Sequence, residues 1–584
     1  MPTRALAGPL LALALAAAPG CRGCDERAPV EVGASAPSPV PEPAGLLAEF
    51  VVPKPNGTWQ KVRSLAGGPA QLLPQGFPLL VASLLGLPIK AAELIDSDVP
   101  LVGALAVEGA GERLVAGVHV RDGARFVAAL TEGAEARYAA RPDATPLLTL
   151  LEARPGAAPG PALGVLGNYA LVGREAEALR RLGPYVARTL PTRPPPEGDD
   201  LGLVAKRQGL AGALRGRLEG LWAGVKAALE AGERRERARH GGAAPTFAEP
   251  AAALAKADAA VADLLGLLGD LDDVRAAVVL DERGVRARAA LSPAGGGGPA
   301  GRAFAAMAAG PASPLLELPG DVTLALLTRD SAEARRRDAG AQAKALSELF
   351  AGRLPEGDGR RVDEALALWA AGRGDWLAVG VNPAAGRRAL YAASAVVDAD
   401  ALDRGVRRLL ELPKVPAFAA PIAQWAGALR VGEATALEGA GGSLVRVERR
   451  PLAAGRGGAR APGGGKEGAP AEPERFEIAW AVGPARASFA AAADGRRALA
   501  ALAAAPAAER LGNDSEVRRG VEALGGEVSF ALLALPLRAL GGAEGPAAPL
   551  LLAAGRSGPG AWVRCEAAPL AARALVALLS ERTP

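Results

Sequence analysis

Side chains that could carry out catalytic or metal-binding chemistry are scarce in this sequence of 584 residues. It contains two histidines, His119 and His240, and three cysteines. A zinc site needs several Cys or His ligands at workable spacing, and the chain is too poor in both. His119 alternates with Val118 and Val120 in a strand-like segment, which favours a structural histidine on one face of a sheet. His240 lies in a charged stretch and is expected to be solvated.

Motifs for nucleophilic catalysis and phosphate binding are missing as well. No serine lies in a Gly-x-Ser-x-Gly elbow or three residues before a lysine, although Ser443 and Ser557 have glycine neighbours. The glycine runs at 295–298 and 463–465 lack the spacing of a phosphate-binding loop. The sequence therefore predicts no catalytic residue, no cofactor and no enzyme activity.

Two groups of aspartates and one Arg-Gly-Asp tripeptide could suggest binding sites, but a structural role explains each of them. The acids are Asp270, Asp272, Asp273 and Asp398, Asp400, Asp403. The first group lacks the glycine and the terminal glutamate of a calcium-binding EF-hand loop. The second lies at a predicted helix start, where acids favour the helix dipole. The tripeptide Arg373-Gly374-Asp375 begins a predicted strand, and so short a motif arises readily by chance. We therefore predict no metal site.

Composition favours a folded chain without a nucleic-acid partner. Hydrophobic residues make up 50% of the chain and aromatic residues only 4%, so a core of Leu, Val and Ala is expected. The net charge is +4, and acids and bases are interleaved. Nucleic-acid binders concentrate basic residues on one face or in a recognisable module, and neither is evident here. At this length the chain is expected to form more than one domain.

The N-terminal segment predicts export. After Arg4, an apolar run covers residues 5–18, which is too short to span a bilayer but has the size of a signal-peptide core. The sequence Ala18-Pro19-Gly20-Cys21 resembles the lipobox of bacterial lipoproteins, although Ala replaces the usual Leu three positions before the cysteine and Pro lies two positions before it. The resemblance implies that residues 1–20 are removed and that Cys21 is lipidated as the mature N-terminus. The alternative is an ordinary secretory signal cut after Ala16.

The segment that follows Cys21 predicts a tether. Residues 21–47 are rich in Pro, Ala, Ser and Glu. Such a segment cannot bury enough apolar surface to fold, and its prolines keep it extended. A lipid at one end and a folded body at the other would give an exported protein of the cell envelope, anchored to a membrane and facing the periplasm or the cell surface.

Internal similarity predicts that the body of the chain is duplicated. Residues 98–122 resemble residues 375–398, because each segment runs from one Asp to another through two apolar stretches separated by a Gly- and Arg-containing turn. Further pairs follow in the same order: 147–155 with 443–451, 168–182 with 487–502, and 274–293 with 550–569. Apolar stretches joined by short turns predict antiparallel hairpins. Asp122 and Asp398 are expected to cap the helices that follow.

The predicted fold class is therefore α+β with two duplicated halves. Each half is expected to be an antiparallel sheet with helices on one face. The first half covers 48–310 and the second covers 311–584. The second half carries a Gly/Pro-rich insertion near 453–473, which is expected to be a disordered loop.

One helical segment, 210–269, is predicted in the first half only. Apolar residues recur there at steps of three and four, and they include Leu221, Val225 and Leu264. Such spacing is typical of the a and d positions of paired helices, so an antiparallel helical hairpin is expected. The hairpin either packs against the sheet or projects to contact an envelope protein partner, with Trp222 beside the seam.

Three functions are compatible with these features. The favoured one is a non-catalytic, membrane-tethered envelope protein that acts as a binding or assembly module. The second is a periplasmic carrier of an apolar or lipid-like ligand, because a curved sheet crossed by helices can enclose a cavity lined by Leu and Val. The third is a hydrolase that uses carboxylates alone, as glycosidases do. The chain is short of the aromatic and amide side chains that bind sugars.

Overall fold

The computed structural model describes most of the chain and shows an α+β protein, which confirms the predicted class. The described residues are 38–67, 70, 72–108, 111–133, 136–154, 160–193, 198–239, 250–349, 355–384, 388–437, 441–450, 473–504, 506–541 and 546–573. Cys21, the predicted signal peptide and almost all of the predicted loop near 453–473 lie outside them. The chain divides into a first unit (Met1–Glu219, Leu265–Arg302 and Trp562–Pro584) and a second unit (Gly220–Leu264 and Ala303–Ala561).

The first unit contains one antiparallel sheet. Its strands are β1 (Leu46–Val52), β2 (Leu101–Glu108), β3 (Gly111–His119), β4 (Tyr138–Pro142), β5 (Leu148–Ala153), β6 (Ala162–Leu166), β7 (Tyr169–Gly173), β8 (Leu201–Lys206), β9 (Leu271–Asp281) and β10 (Gly284–Pro293). Hydrogen bonding places them in the order β4-β5-β6-β7-β3-β2-β1-β8-β9-β10. Val40 exchanges hydrogen bonds of 2.9 and 2.7 Å with the Thr189 side chain. The end of the predicted tether therefore belongs to the folded unit.

Helices cover both faces of this sheet, so the expectation of helices on one face is wrong for the first unit. The helices are α1 (Pro55–Ala66), α2 (Phe77–Leu85), α3 (Ile89–Ala92), α4 (Gly123–Thr131) and α5 (Ala176–Arg188). Phe50 of β1 packs in a cluster with Phe126 of α4. Its neighbour Val51 packs in a second cluster with Leu179 of α5. Successive strand residues point to opposite faces, and both faces of these strands are apolar enough to need cover.

Two helices follow β8 in the chain, α6 (Arg215–Arg239) and α7 (Pro250–Gly269), and α8 (Pro299–Ala306) follows β10. The π-helical turn Gly209–Leu214 leads into α6. A Cβ at Gly209 would lie 2.5 Å from the backbone oxygen of Leu47, so this turn is pressed against the start of β1.

The second unit also contains an antiparallel sheet. Its strands are β11 (Leu324–Arg329), β12 (Arg373–Asn382), β13 (Ala389–Val396), β14 (Ala428–Val431), β15 (Thr435–Leu437), β16 (Gly442–Arg450), β17 (Glu474–Val482), β18 (Arg486–Ala492), β19 (Val528–Ala534) and β20 (Leu550–Ser557). They lie in the order β16-β17-β18-β13-β12-β11-β19-β20, with β14 and β15 both beside β16. One more strand, β21 (Gly560–Ala567), follows in the chain, and from Trp562 onward it belongs to the first unit.

The helices of the second unit pack partly on one another and partly on the sheet. They are α9 (Ala332–Leu349), α10 (Glu356–Gly372), α11 (Ala399–Glu411), α12 (Pro416–Ala426), α13 (Gly495–Ala503), α14 (Ser515–Ala523) and α15 (Pro536–Gly541). Val406 of α11 packs on Val445, Val447 and Trp480 of β16 and β17. This cluster covers one end of the sheet only.

The strand order is the same in the two sheets. The strands β5-β6-β7-β3-β2-β1-β8-β9 correspond, one for one, to β16-β17-β18-β13-β12-β11-β19-β20. The sequence between β8 and β9 contains α6 and α7, whereas the sequence between β19 and β20 contains only the short α15.

The predicted aspartate caps are confirmed. The Asp122 carboxylate accepts a hydrogen bond of 3.0 Å from the Arg125 backbone N–H at the start of α4. Asp398 accepts one of 2.9 Å from the Ala401 N–H at the start of α11. Each carboxylate satisfies a backbone donor that the helix itself leaves unpaired.

Candidate interaction surfaces

The clearest contact between α6 and α7 is polar. The Asp258 carboxylate of α7 accepts hydrogen bonds from Trp222 Nε1 at 2.6 Å and from Lys226 Nζ at 2.5 Å, both on α6. The Lys226 ammonium and the Trp222 N–H together hold the pKa of Asp258 below its usual value. This cluster fixes which side of α6 faces α7.

The predicted aliphatic seam on α6 is wrong. Leu221 is 67% exposed and Val225 is 49% exposed, whereas Trp222 and Lys226, one position further along, face Asp258. On α7, Leu264 of the predicted seam is also exposed. Helix α6 is therefore rotated about its own axis by about one residue, roughly 100°, from the position that the predicted seam requires.

The rotation leaves an apolar face of α6 open. Leu221, Val225 and Leu229 follow one another at steps of four, and all three are exposed. Gly220 and Gly224 precede the first two, and a Cβ added at either glycine would meet no atom within 4 Å. Residues four apart lie on one side of a helix. We call these five positions the α6 face.

The two ends of the helical segment are part of the core of the first unit. Leu210 and Leu265 are both buried, and Leu271 just beyond α7 is fully buried. The predicted segment 210–269 therefore includes residues that the fold needs. None of the residues of 218–262 whose burial is described is buried, so a deletion confined to this shorter stretch leaves Leu210 and Leu265 in place.

His119 is packed as part of the sheet. Its ring lies edge-on to Tyr169 at a centroid distance of 5.3 Å, across the β3–β7 pair. Its Nδ1 is 3.4 Å from an Asp96 carboxylate oxygen. Burial lowers the pKa of His119 from its usual value, and Asp96 opposes this shift. A neutral, packed imidazole fits the structural interpretation. His240 lies outside the described residues.

The first acidic group is divided between unrelated contacts. The Asp270 carboxylate accepts a hydrogen bond of 2.9 Å from the Ala300 backbone N–H at the start of α8. Asp273 accepts two hydrogen bonds of 3.0 Å from Arg275. Among the described residues, no group of three or more His, Cys, Asp or Glu side chains could hold a metal ion.

The second acidic group is tied to the helix and the sheet. Asp398 caps α11, as described above, and Asp403 accepts hydrogen bonds from Trp480 Nε1 at 2.8 Å and from Arg407 Nε at 2.6 Å. Arg407 also donates to the Ser443 hydroxyl at 2.7 Å. Ser443 is therefore a structural acceptor between α11 and β16.

The arginine of the Arg373-Gly374-Asp375 tripeptide is not accessible to a binding partner. Arg373 is buried and paired with Asp330. Asp375 is paired with Arg329 at 2.6 Å. Both contacts fasten the start of β12 to neighbouring elements, in agreement with the structural interpretation.

A second open surface, which sequence reasoning missed, lies on the sheet of the second unit. Directly opposite residues of adjacent strands share a face. One row across the sheet consists of Ala491, Leu390, Val381, Leu324, Ala534 and Leu550. The next row consists of Phe489, Ala392, Val379, Leu326, Leu532 and Leu552. A third, shorter row adds Leu377, Thr328, Phe530 and Ala554. We call this surface the apolar sheet face.

The apolar sheet face is accessible and uncharged. Leu324, Leu390 and Leu552 are 43%, 46% and 37% exposed, and the other members are partly exposed. Thr328 is the single polar residue among the exposed members of the three rows, because Ser394, which lies opposite Leu377 in the third row, is fully buried. The opposite face of the same strands is closed, with residues such as Leu327 and Ala531 fully buried. At the spacing of strands and residues in a sheet, the three rows cover roughly 400–600 Å².

A small pocket in the first unit contrasts with this open face. It lies between the sheet and α2 and α4, with Leu85, Val118 and Phe126 among its lining residues. It has room for about one water molecule. An apolar ligand of any length does not fit there.

Comparison with known proteins gives no family for this chain. No protein-family model matches it. No curated protein and no solved structure matches it either. Within the described ranges, no helix has both the length and the hydropathy needed to cross a membrane.

Proposed function

We propose that the protein is a non-catalytic, membrane-tethered envelope protein that acts as a binding or assembly module. The observation that carries the proposal is the α6 face, which exposes Leu221, Val225 and Leu229 beside two glycines. Exposed aliphatic side chains grouped on one helix face are typical of interaction sites. Glycines beside them allow a partner helix to approach the backbone closely.

The two helices act as one antiparallel hairpin in this proposal. Asp258 supports it, because its two hydrogen bonds join α6 to α7 without using the aliphatic residues of the α6 face. In this proposal the contact at Asp258 holds the two helices together, and the apolar side of α6 stays exposed for a partner. We propose an envelope protein as the partner.

Removing the hairpin tests the module. Replacing residues 218–262 with a short Gly-Ser linker is expected to leave one cooperative thermal unfolding transition, because Leu210 and Leu265 stay in the core. Binding to the envelope partner, measured by cross-linking in intact cells followed by purification of the protein, should be lost. The double variant Leu221→Glu and Val225→Glu should have the same effect with both helices present.

A matched control uses Lys226→Gln, which changes the side facing α7 and keeps the α6 face intact. It is expected to retain the cross-linked partner. Retention of the partner by the Leu221→Glu and Val225→Glu variant would contradict the assignment of the α6 face. An insoluble protein after replacement of 218–262 would show that the hairpin belongs to the core.

We propose Cys21 as the lipid anchor. The support is the lipobox-like sequence that ends at Cys21 and the apolar run before it. Lipid chains at this position would hold the exported protein on a membrane, since two or more hydrophobic signals give stable anchoring. The folded units would then work close to that membrane.

Substitution of Cys21 tests the anchor. Cys21→Ala is expected to move the protein from the membrane fraction to the soluble exported fraction, because the site of lipid attachment is gone. Intact-mass measurement of the membrane-extracted wild type should show the mass of the lipid. Cys24→Ala is the matched control and should remain in the membrane fraction. A mature wild-type chain that begins at Ala17 would contradict the proposal.

We further propose that the two units are copies of one α+β arrangement. The support is the identical strand order and the equivalent aspartate caps at Asp122 and Asp398. The paired sequence segments fall on corresponding strands, such as β2-β3 and β12-β13. In this proposal α6 and α7 are an insertion into the first copy.

The apolar sheet face favours a second candidate function, a carrier of an apolar or lipid-like ligand. An uncharged patch of several hundred Å² is at the upper end of what a soluble protein exposes without a binding role. This function uses a different surface from the α6 face, and both can exist in one protein.

A further inference from the structure

We infer that the apolar sheet face of the second unit binds the hydrocarbon chains of a single lipid molecule. The inference rests on the second proposed function and names its site and ligand class. Six strands, β18, β13, β12, β11, β19 and β20, contribute to the face. Their outward residues are almost all aliphatic, with Phe489 at one side and Phe530 near the other.

The absence of charge on the face argues for hydrocarbon. Of the exposed members of the three rows, only Thr328 can form a hydrogen bond through its side chain. A protein interface carries about one hydrogen bond per 100–200 Å², so a protein-binding patch of this size would offer several polar groups. A hydrocarbon chain needs none. The chemistry of the face therefore matches the acyl part of a lipid.

The size of the face argues against a second copy of the chain. A stable protein interface buries about 800 Å² on each partner. The face supplies roughly 400–600 Å². It is too small for a dimer but long enough for acyl chains laid across the strands.

The helix layer adds a wall on one side of the face. Val406 of α11 covers Trp480, which neighbours Phe489 across the β17–β18 pair. The ring of Trp369 in α10 lies 5.5 Å from that of Phe489. The sheet and the helices α10 and α11 therefore form a corner at Phe489. A slender chain can lie in such a corner and bury more surface than it would on a flat sheet.

The test measures binding of cis-parinaric acid, an eighteen-carbon fatty acid that fluoresces in apolar surroundings. The full chain carries Cys21→Ala, so that no attached lipid competes. We expect saturable binding, and at least tenfold weaker binding in the triple variant Leu324→Lys, Leu390→Lys and Leu552→Lys. The new lysines attract the carboxylate of the probe, so weaker binding cannot come from charge repulsion. The control triple variant Leu72→Lys, Leu73→Lys and Leu79→Lys alters exposed leucines of the first unit and should bind as before.

A second measurement keeps the inference open to refutation if the triple variant fails to fold. A diazirine-bearing fatty acid, activated by light on the otherwise unchanged chain, should label peptides from β11, β13 and β20. Saturable binding with labelling confined to other peptides would overturn this site and leave the carrier function standing. No binding by the chain would overturn both. Flotation with phosphatidylcholine vesicles without binding of the free acid would assign the face to a bilayer surface instead. A dimer in sedimentation velocity that the triple variant dissociates would assign it to a second copy.

Discussion

Replacing Asp200 with alanine is expected to lower the free energy of unfolding of the first unit by about 3 kcal/mol. The Asp200 carboxylate is nearly buried and accepts hydrogen bonds from Lys61 Nζ at 2.6 Å and from the Leu280 backbone N–H at 2.7 Å. It thereby joins α1 to β9. Without it, a buried N–H of the sheet has no acceptor. Lys61 is partly exposed and can turn to water, so the loss stays at the low end for a broken buried ion pair.

Urea denaturation followed by far-UV circular dichroism measures this loss. Asp200→Asn keeps an oxygen for the Leu280 N–H but replaces the oxygen that accepts from Lys61 Nζ with an NH2 group, which can only donate. Because the buried N–H keeps its acceptor, this variant should cost less than alanine, about half as much. Asp272→Ala removes an exposed carboxylate and is the matched control, with no expected change. If Asp200→Ala unfolds at the same urea concentration as the wild type, the prediction is wrong, and a water molecule accepts the hydrogen bond of the Leu280 N–H in place of the carboxylate.

The local elements of the fold could be predicted because short-range signals determine them. The Asp residues at 122 and 398 follow an apolar strand and precede an amphipathic stretch, and both cap a helix in the structure. The hairpin of β9 and β10 was likewise evident from two apolar runs with a short turn between them. These features depend on a few neighbouring residues, and each one is visible in the sequence.

The faces of the sheets could not be predicted from the same patterns. Strands such as β11 (LALLTR) and β19 (VSFALLA) are apolar at successive positions and do not alternate with polar residues. Such runs indicate a strand with two apolar faces. The sequences of β11 and β19 contain such runs, which predict either that other elements cover both faces of the sheet or that one apolar face is open to solvent. Which of the two occurs depends on long-range packing, and in the first unit α5 supplies the second cover.

The rotation of α6 is a second case in which long-range contacts decide. Periodicity placed Leu221 and Val225 in the seam, and a sequence pattern cannot show that Asp258 will accept hydrogen bonds from both Trp222 and Lys226. This contact turns Trp222 and Lys226 toward α7 and leaves Leu221 and Val225 on the exposed side of α6. The α6 face is the side of the helix that lies away from this contact.

Glycine-to-alanine substitutions are expected to have opposite effects on two helices, α11 and α6. A Cβ at Gly405 in α11 would lie 2.7 Å from the Trp369 backbone nitrogen in α10, so the two helices would have to separate. Gly405→Ala should therefore destabilise the unit by about 2 kcal/mol. On α6 the same substitution at Gly220 and Gly224 meets open space. There the higher helix propensity of alanine should stabilise the helix by about 1 kcal/mol at each position.

Thermal unfolding and amide hydrogen exchange of α6 separate the two effects. Gly405→Ala should lower the melting temperature. The double variant Gly220→Ala and Gly224→Ala should slow amide exchange in α6 and should not lower the melting temperature. The same double variant should weaken cross-linking to the envelope partner, because its methyl groups hold a partner helix away from the α6 backbone. If the double variant is more stable and still binds the partner as before, the glycines have no part in the interface. The aliphatic residues Leu221, Val225 and Leu229 would then form the α6 face by themselves.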